Sequence, residues 1–288
     1  MRLSLPKTNN NTLISAVSKT ESPFYLDMQN NDKLIIGGRE FSSRLFLGTG
    51  KFSSMQAMKD TLAQSGASVA TVALKRANLG GEADASADIA DWLEPEKYLI
   101  LPNTSGAVNA EEAVRIARLG RVAGFGDFVK LEIHPDPNYL LPDPIETLKA
   151  TEILAKDGFK VMPYINADPV LALHLQDAGA VAVMPLGSPI GTNRGVETRG
   201  QIEIIIEQCD VPVVVDAGLG MPSHASEAME IGASAVMINT AVADATDPIA
   251  MAKAFAMAVE AGRTAYLVGS SVRGIFASPT SPLTGFLD

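Results

Sequence analysis

Between Arg44 and Ile238 the chain repeats one cycle: a short run of leucine or β-branched residues, a turn of Gly, Asn, Asp or Pro, then an amphipathic stretch closing near a glycine. Alternation of this kind builds βαβ units, in which parallel strands are covered by the helices that connect them. The expected strands are Arg44–Leu47, Ser68–Leu74, Tyr98–Leu101, Phe128–Ile133, Lys160–Tyr164, Ala182–Met184, Pro212–Val215 and Ala235–Ile238, eight in all. Helix ends are marked by Ser53 or Ser54 with Gly66, by Pro144 with Gly158, by Asp168-Pro169 with Gly179, and by Pro222 and Pro248; Ser or Asp caps a first turn, Pro suits its first position, and Gly ends a last one. Eight strand–helix pairs favour a closed (β/α)8 TIM barrel, an α/β fold, over an open doubly wound sheet, since no GxGxxG motif opens the first unit. With 288 residues, 47% of them hydrophobic, one large core suffices, and such barrels commonly run to about 200–250 residues as a single domain.

The flanks are less regular. Residues 1–31 are polar, include Asn9-Asn10-Asn11 and lack the apolar core of a secretory signal, while Glu21 and Asp27 do not suit an acid-poor transit peptide. They are expected to form a flexible extension, with residues 32–288 as the catalytic barrel and its C-terminal tail. Leu34-Ile35-Ile36 followed by Gly37-Gly38 reads as half of a hairpin plugging the barrel floor. A formal charge of −10 with no Lys/Arg run argues against nucleic acid or an anionic membrane surface as partner. No apolar run has transmembrane length, so a soluble, cytoplasmic protein is expected. Cys209 stands alone, which excludes an intrachain disulfide and a dithiol motif and suggests a small packing residue; His134, His174 and His224 show no metal-site spacing.

The strand most informative about chemistry is Phe128-Val129-Lys130-Leu131-Glu132-Ile133-His134. Period-two alternation sends Val129, Leu131 and Ile133 to one face and Phe128, Lys130, Glu132 and His134 to the other. If helices cover the apolar face, Lys130 points into the barrel, where desolvation lowers a lysine pKa and frees its amine as a nucleophile. The competing reading is an edge strand whose Lys/Glu pair is solvated and energetically minor.

In a barrel, chemistry sits at the C-terminal ends of the strands. Those ends carry Gly48-Thr49-Gly50-Lys51, Lys75-Arg76, Asn103-Thr104-Ser105-Gly106, Glu132 and His134, Gly187-Ser188-Pro189-Ile190-Gly191, Asp216-Ala217-Gly218-Leu219-Gly220 and Asn239-Thr240-Ala241. Each Gly-rich turn alone could be a tight βα connection; several converging on one rim suggest backbone N–H groups around a phosphate. Asp216 could merely cap the following helix, or it could face Lys130 across the mouth. A lysine with two carboxylates near a phosphate site indicates imine chemistry on a phosphorylated ketone or aldehyde.

The strings Leu47-Gly-Thr-Gly-Lys-Phe52, Leu101-Pro-Asn-Thr-Ser-Gly106, Val129-Lys-Leu-Glu-Ile-His-Pro135, Val183-Met-Pro-Leu-Gly-Ser-Pro-Ile-Gly191, Val211-Pro-Val-Val-Val-Asp-Ala-Gly218 and Ser281-Pro-Leu-Thr-Gly-Phe286 together resemble bacterial thiazole synthase, the enzyme that forms the thiazole half of thiamine. The resemblance runs from about Leu34 to the C-terminus and leaves residues 1–31 unexplained. It implies that Lys130 forms a Schiff base with 1-deoxy-D-xylulose 5-phosphate, that Glu132 and Asp216 act as acid/base groups, and that Gly191, Ala217, Gly218, Asn239 and Thr240 contact substrate. It further implies sulfur from a ubiquitin-like carrier protein ending in a thiocarboxylate, dehydroglycine from a separate enzyme, a homotetramer, and no metal or other cofactor. A class I aldolase and a non-catalytic phosphosugar-binding barrel share parts of this pattern; the aldolase needs no protein sulfur donor, and the binding barrel forms no imine.

Overall fold

A computed structural model describes residues 32–74, 89 and 92–269. The N-terminal extension, Lys75-Arg76 and the C-terminal run 277–286 singled out above lie outside the described residues. The first described element is a hairpin, β1 (Leu34–Ile36) and β2 (Arg39–Phe41), paired antiparallel with Leu34 opposite Phe41. Gly37 and Gly38 both have positive φ, as a tight two-residue hairpin turn requires.

Eight parallel strands follow: β3 (Leu45–Gly48), β4 (Val69–Ala73), β5 (Leu99–Asn103), β6 (Phe128–Leu131), β7 (Lys160–Ile165), β8 (Met184–Pro185), β9 (Val214–Asp216) and β10 (Ala235–Ile238). Their order is β8-β7-β6-β5-β4-β3-β10-β9. The ring closes between β8 and β9, where Val183 N–H donates to Pro212 O (3.0 Å), Val214 N–H to Val183 O (2.9 Å) and Gly187 N–H to Asp216 O (3.0 Å). β8, with two residues, is the shortest strand among the described residues. The expected (β/α)8 barrel is therefore the observed fold, with every strand end within two residues of its expected place and β10 matching at both ends.

Among the described residues the helices are α1 (Met55–Ser65), α2 (Ala110–Val122), α3 (Pro144–Lys156), α4 (Pro169–Asp177), α5 (Arg199–Gln208), α6 (Pro222–Glu230) and, after the last strand, the short α7 (Thr240–Ala243) and α8 (Pro248–Val268). Three start on Asp-Pro: Asp143, Asp168 and Asp247 each accept a first-turn N–H, at 2.9–3.0 Å, while the following proline fills the first helical position. Ser54 caps α1 by accepting from Ala57 N–H at 3.1 Å, and Gly66 ends it in the left-handed region. α6 has no capping hydroxyl or carboxylate; His224 Nδ1 accepts instead from Gly220 and Met221 N–H.

Period-two alternation in each strand divides the core. Outward residues such as Val129, Leu131 and Ile133 pack on Ala113, Ala117, Ala150 and Leu154 of α2 and α3. Inward residues fill the barrel in layers. The bottom layer joins Phe46, Val69, Leu101, Met162, Met184, Val214, Ala235 and Met237 to Leu34, Ile36 and Phe41 of the hairpin, so the expected floor plug is present. The layer above contains Lys130, Tyr164 and Asp216, all buried.

Candidate active site

β6 decides where the site lies. Lys130 is the inward residue of a strand whose next inward position, Phe128, is already spent on the floor, so its side chain rises toward the C-terminal mouth. The strand ends at Leu131, two residues sooner than expected, because a side chain replaces the backbone ladder. Buried Thr104 donates its hydroxyl to Glu132 O and accepts from Glu132 N–H, both at 2.9 Å. This clamp aims Glu132 back into the barrel. Thr104 appears in the predicted rim but its task is not visible in sequence, since hydroxyl–backbone pairing across two strands depends on register.

Lys130, Glu132 and Asp216 converge. Lys130 Nζ lies 2.6 Å from Asp216 Oδ2 and 2.9 Å from Glu132 Oε1, and His134 Nε2 lies 3.2 Å from Glu132 Oε2. The three charged residues are 6%, 5% and 5% exposed, which rules out the solvated edge-strand reading. Asp216 reaches across from the end of β9, as one of the two readings of that residue anticipates.

The electrostatics overturn one expectation. Burial does oppose the Lys130 ammonium, but the attraction of Asp216 and Glu132 outweighs it and raises the lysine pKa above its ordinary value. The resting amine is held protonated. Burial likewise opposes the Glu132 carboxylate, yet Lys130 and His134 overcome it and hold its pKa down to about 2. At Asp216 burial wins over Lys130, with Glu132 adding repulsion, and the pKa rises. Two carboxylates beside one lysine are thus shifted in opposite directions, Glu132 down and Asp216 up. Tyr164, which sequence reasoning missed, lies under this group with its ring centroid 5.7 Å from Lys130 Nζ and its hydroxyl buried without a partner among the described residues.

Above the triad opens a cavity of about 890 Å³. Gly191, Ala217, Gly218, Asn239 and Thr240 all line it, as do Lys130, Glu132 and Asp216. Ala217 and Gly218 follow Asp216 in consecutive left-handed conformations, φ +64° and +74°. The turn is locked by Gly195 N–H donating to Gly218 O at 2.8 Å, and a Cβ at Gly218 would lie 1.8 Å from Ser188 Oγ. The glycine is therefore required for loop-on-loop contact as well as backbone freedom. At Gly48 a Cβ would sit 2.6 Å from Cβ of Asn239, so the glycine makes room for that side chain. Asn239 Oδ1 is buried with no partner among the described residues. Asn103, expected in a loop, is the last residue of β5, lines the cavity and donates to Thr71 Oγ1 at 3.1 Å. Cys209 stays outside the site, at the end of α5 against Val211, with burial and then Asp210 pushing its thiol pKa up.

The family model described as thiazole biosynthesis protein ThiG matches residues 35–282. Thiazole synthase of Syntrophobacter fumaroxidans is 63% identical over 254 residues, covering 88% of this chain and 98% of that protein, and thiazole synthase 2 of Syntrophotalea carbinolica is 62% identical over 256 residues, covering 89% and 98%. The chain belongs to the thiazole synthase family. It is accordingly an enzyme of thiamine biosynthesis, of the sulfur-transferring kind that makes the thiazole. Among solved structures, the Amycolatopsis orientalis BexX/CysO complex matches with 33% identity and a TM-score of 0.75, covering 84% of this thiazole synthase and 98% of the matched chain. A thiamine phosphate pyrophosphorylase from Pyrococcus furiosus, 16% identical with a TM-score of 0.54, shares the barrel alone.

Proposed function

We propose that this thiazole synthase joins 1-deoxy-D-xylulose 5-phosphate, dehydroglycine and protein-borne sulfur into the thiazole phosphate carboxylate precursor of thiamine, through an imine on Lys130. The observation that carries the reading is the buried Lys130 Nζ within 2.9 Å of two carboxylates on the floor of the cavity. Lys130 first passes a proton to Asp216, the acceptor 2.6 Å away whose pKa burial raises. The neutral amine adds to the ketone carbon; the carbonyl oxygen takes up protons and leaves as water, and a carbon–nitrogen double bond remains. Glu132, held ionised, then removes a proton from the carbon beside the imine, which tautomerises. Burial of both carboxylates lets each act on a proton that bulk water would otherwise exchange.

The phosphate end of the sugar is assigned to Gly191, Ala217, Gly218, Asn239 and Thr240, which share the cavity with the triad. Sulfur is assigned to the C-terminal thiocarboxylate of a ubiquitin-like sulfur carrier; a relative solved together with a second protein, CysO, supports a protein partner. A dehydroglycine-forming enzyme, a homotetramer and a cytoplasmic location complete the proposal. No helix among the described residues is long and apolar enough to cross a membrane.

The test is intact mass after borohydride reduction with the phosphosugar, followed by peptide mapping. One reduced adduct on Lys130 is expected; an unmodified Lys130 in active enzyme refutes the imine. An aldolase would also give the adduct, so carrier-dependent appearance of thiazole is measured alongside it.

A further inference from the structure

Four non-glycine residues among those described have positive φ: Lys51 (+69°), Leu140 (+52°), Asn193 (+55°) and Ala217 (+64°). All four line the cavity. Left-handed backbone at residues with a Cβ costs of order 1 kcal/mol or more, and such strain gathers where a side chain or peptide must be aimed at a ligand. Of the four, Lys51 alone is cationic. Its loop, between β3 and α1, lies against Asn239: a Cβ at Gly50 would be 3.2 Å from Asn239 Nδ2. The ammonium reaches the corner of the cavity formed by Gly191 and Thr240, since a Cβ at Gly191 would lie 3.7 Å from Lys51 Nζ and 4.0 Å from Thr240 Oγ1. Its counter-ion among the described residues is distant and wet, Asp244 Oδ2 at 4.0 Å, with the lysine side chain 53% exposed. That pair holds the ammonium loosely and leaves its donors available.

Lys130 is matched against Glu132 and Asp216, so the floor of the cavity carries a net negative charge. That charge repels a phosphate monoester descending toward it, and a cation at the rim offsets the repulsion. Lys51 is the only Lys or Arg besides Lys130 lining the cavity among the described residues. We infer that Lys51 is a substrate-binding residue, a cation turned over the Gly191–Thr240 corner by its left-handed backbone to bind the terminal phosphate of the phosphorylated ketose. This rests on the imine reading above, and it adds a side-chain charge to a phosphate site otherwise built from backbone and neutral groups.

The test compares wild type with Lys51→Met, Lys51→Gly and Lys51→Arg in the full chain, reading the sugar concentration that gives half-maximal borohydride-trapped adduct. The Gly variant accepts the positive φ without strain, so it removes the charge while preserving the turn. Loss of a charge-assisted hydrogen bond predicts a roughly ten- to hundredfold higher half-saturation for the phosphorylated ketose in the Met and Gly variants, with the maximal adduct unchanged. Arg should stay within a few-fold of wild type, and the unphosphorylated ketose should show no dependence on residue 51. Met and Gly variants within twofold of wild type overturn the inference, as does an equal loss for both sugars or a defect confined to carrier-dependent turnover. If wild type itself forms no adduct, the imine reading fails instead; calorimetric titration with inorganic phosphate then tests Lys51 separately, and equal affinity in wild type and Lys51→Met overturns it.

Discussion

Replacing Lys130 with methionine keeps most of the apolar stem and deletes the ammonium. The change leaves Glu132 and Asp216 buried, 5% exposed each, without the cation that sits 2.9 and 2.6 Å from them. Removing one member of a buried ion pair costs about 3–5 kcal/mol, because the remaining charge keeps its desolvation penalty and loses its attraction. Against a total stability on the order of 5–15 kcal/mol, the variant should fold but sit well below wild type. The loss must also depend on pH. Without Lys130, burial raises both carboxylate pKa values above their unfolded values near 4. A group raised in the folded state contributes stability that is present below its unfolded pKa and lost as pH rises through its folded one. In wild type, Glu132 works in the opposite sense: held at about 2, it contributes stability above its unfolded pKa that is lost only as pH falls toward 2. The gap between wild type and Lys130→Met should therefore widen from pH 5 to pH 8, by up to about 1.4 kcal/mol per pH unit from Glu132, whose shift changes sign, while Asp216, already raised in the wild type, adds only above its wild-type pKa. Urea denaturation at fixed protein concentration across that range measures it, and Lys130→Met combined with Asp216→Asn should recover part of the loss. A gap below about 1 kcal/mol at pH 8 that does not widen with pH would refute the claim that the triad is a dry, mutually compensated group.

Asp216→Asn removes one of the two charges that raise the Lys130 pKa, so the pH profile of adduct formation should move to lower pH while overall turnover falls; loss of phosphosugar affinity with turnover intact at saturation would contradict the proton-transfer assignment. Gly218→Ala forces a Cβ to within 2.6 Å of Ser188 O at φ +74°, so it should weaken phosphosugar binding at least tenfold and lower the melting temperature, both read in one ligand-dependent thermal shift series. Removing residues 1–31 should leave carrier-dependent thiazole formation unchanged, whereas removing 281–288 should impair it while imine trapping at Lys130 survives; unchanged turnover in the second truncation would eliminate a carrier-docking role for the C-terminus.

What the sequence determined by itself was whatever follows from neighbours along the chain. Period-two alternation placed Lys130, Glu132 and His134 on one face of β6 and Val129, Leu131 and Ile133 on the other, and the Asp-Pro pairs marked helix starts at Pro144 and Pro169 because capping is a contact within three residues. Eight such units leave few ways to bury eight strands besides a barrel. The tertiary structure decided the rest. Closure through the Val183–Pro212 and Gly187–Asp216 hydrogen bonds brings Asp216 to within 2.6 Å of Lys130, and that distance reverses the sign of the lysine's pKa shift from the one burial alone implies. The Thr104 clamp on Glu132 and the space Gly48 leaves for Asn239 likewise depend on which residues stand side by side across strands. Desolvation of a side chain can be anticipated from a hydrophobic pattern, whereas the Coulomb and steric forces that outweigh it fall off over a few ångströms and are set by register and closure, which no local stretch encodes.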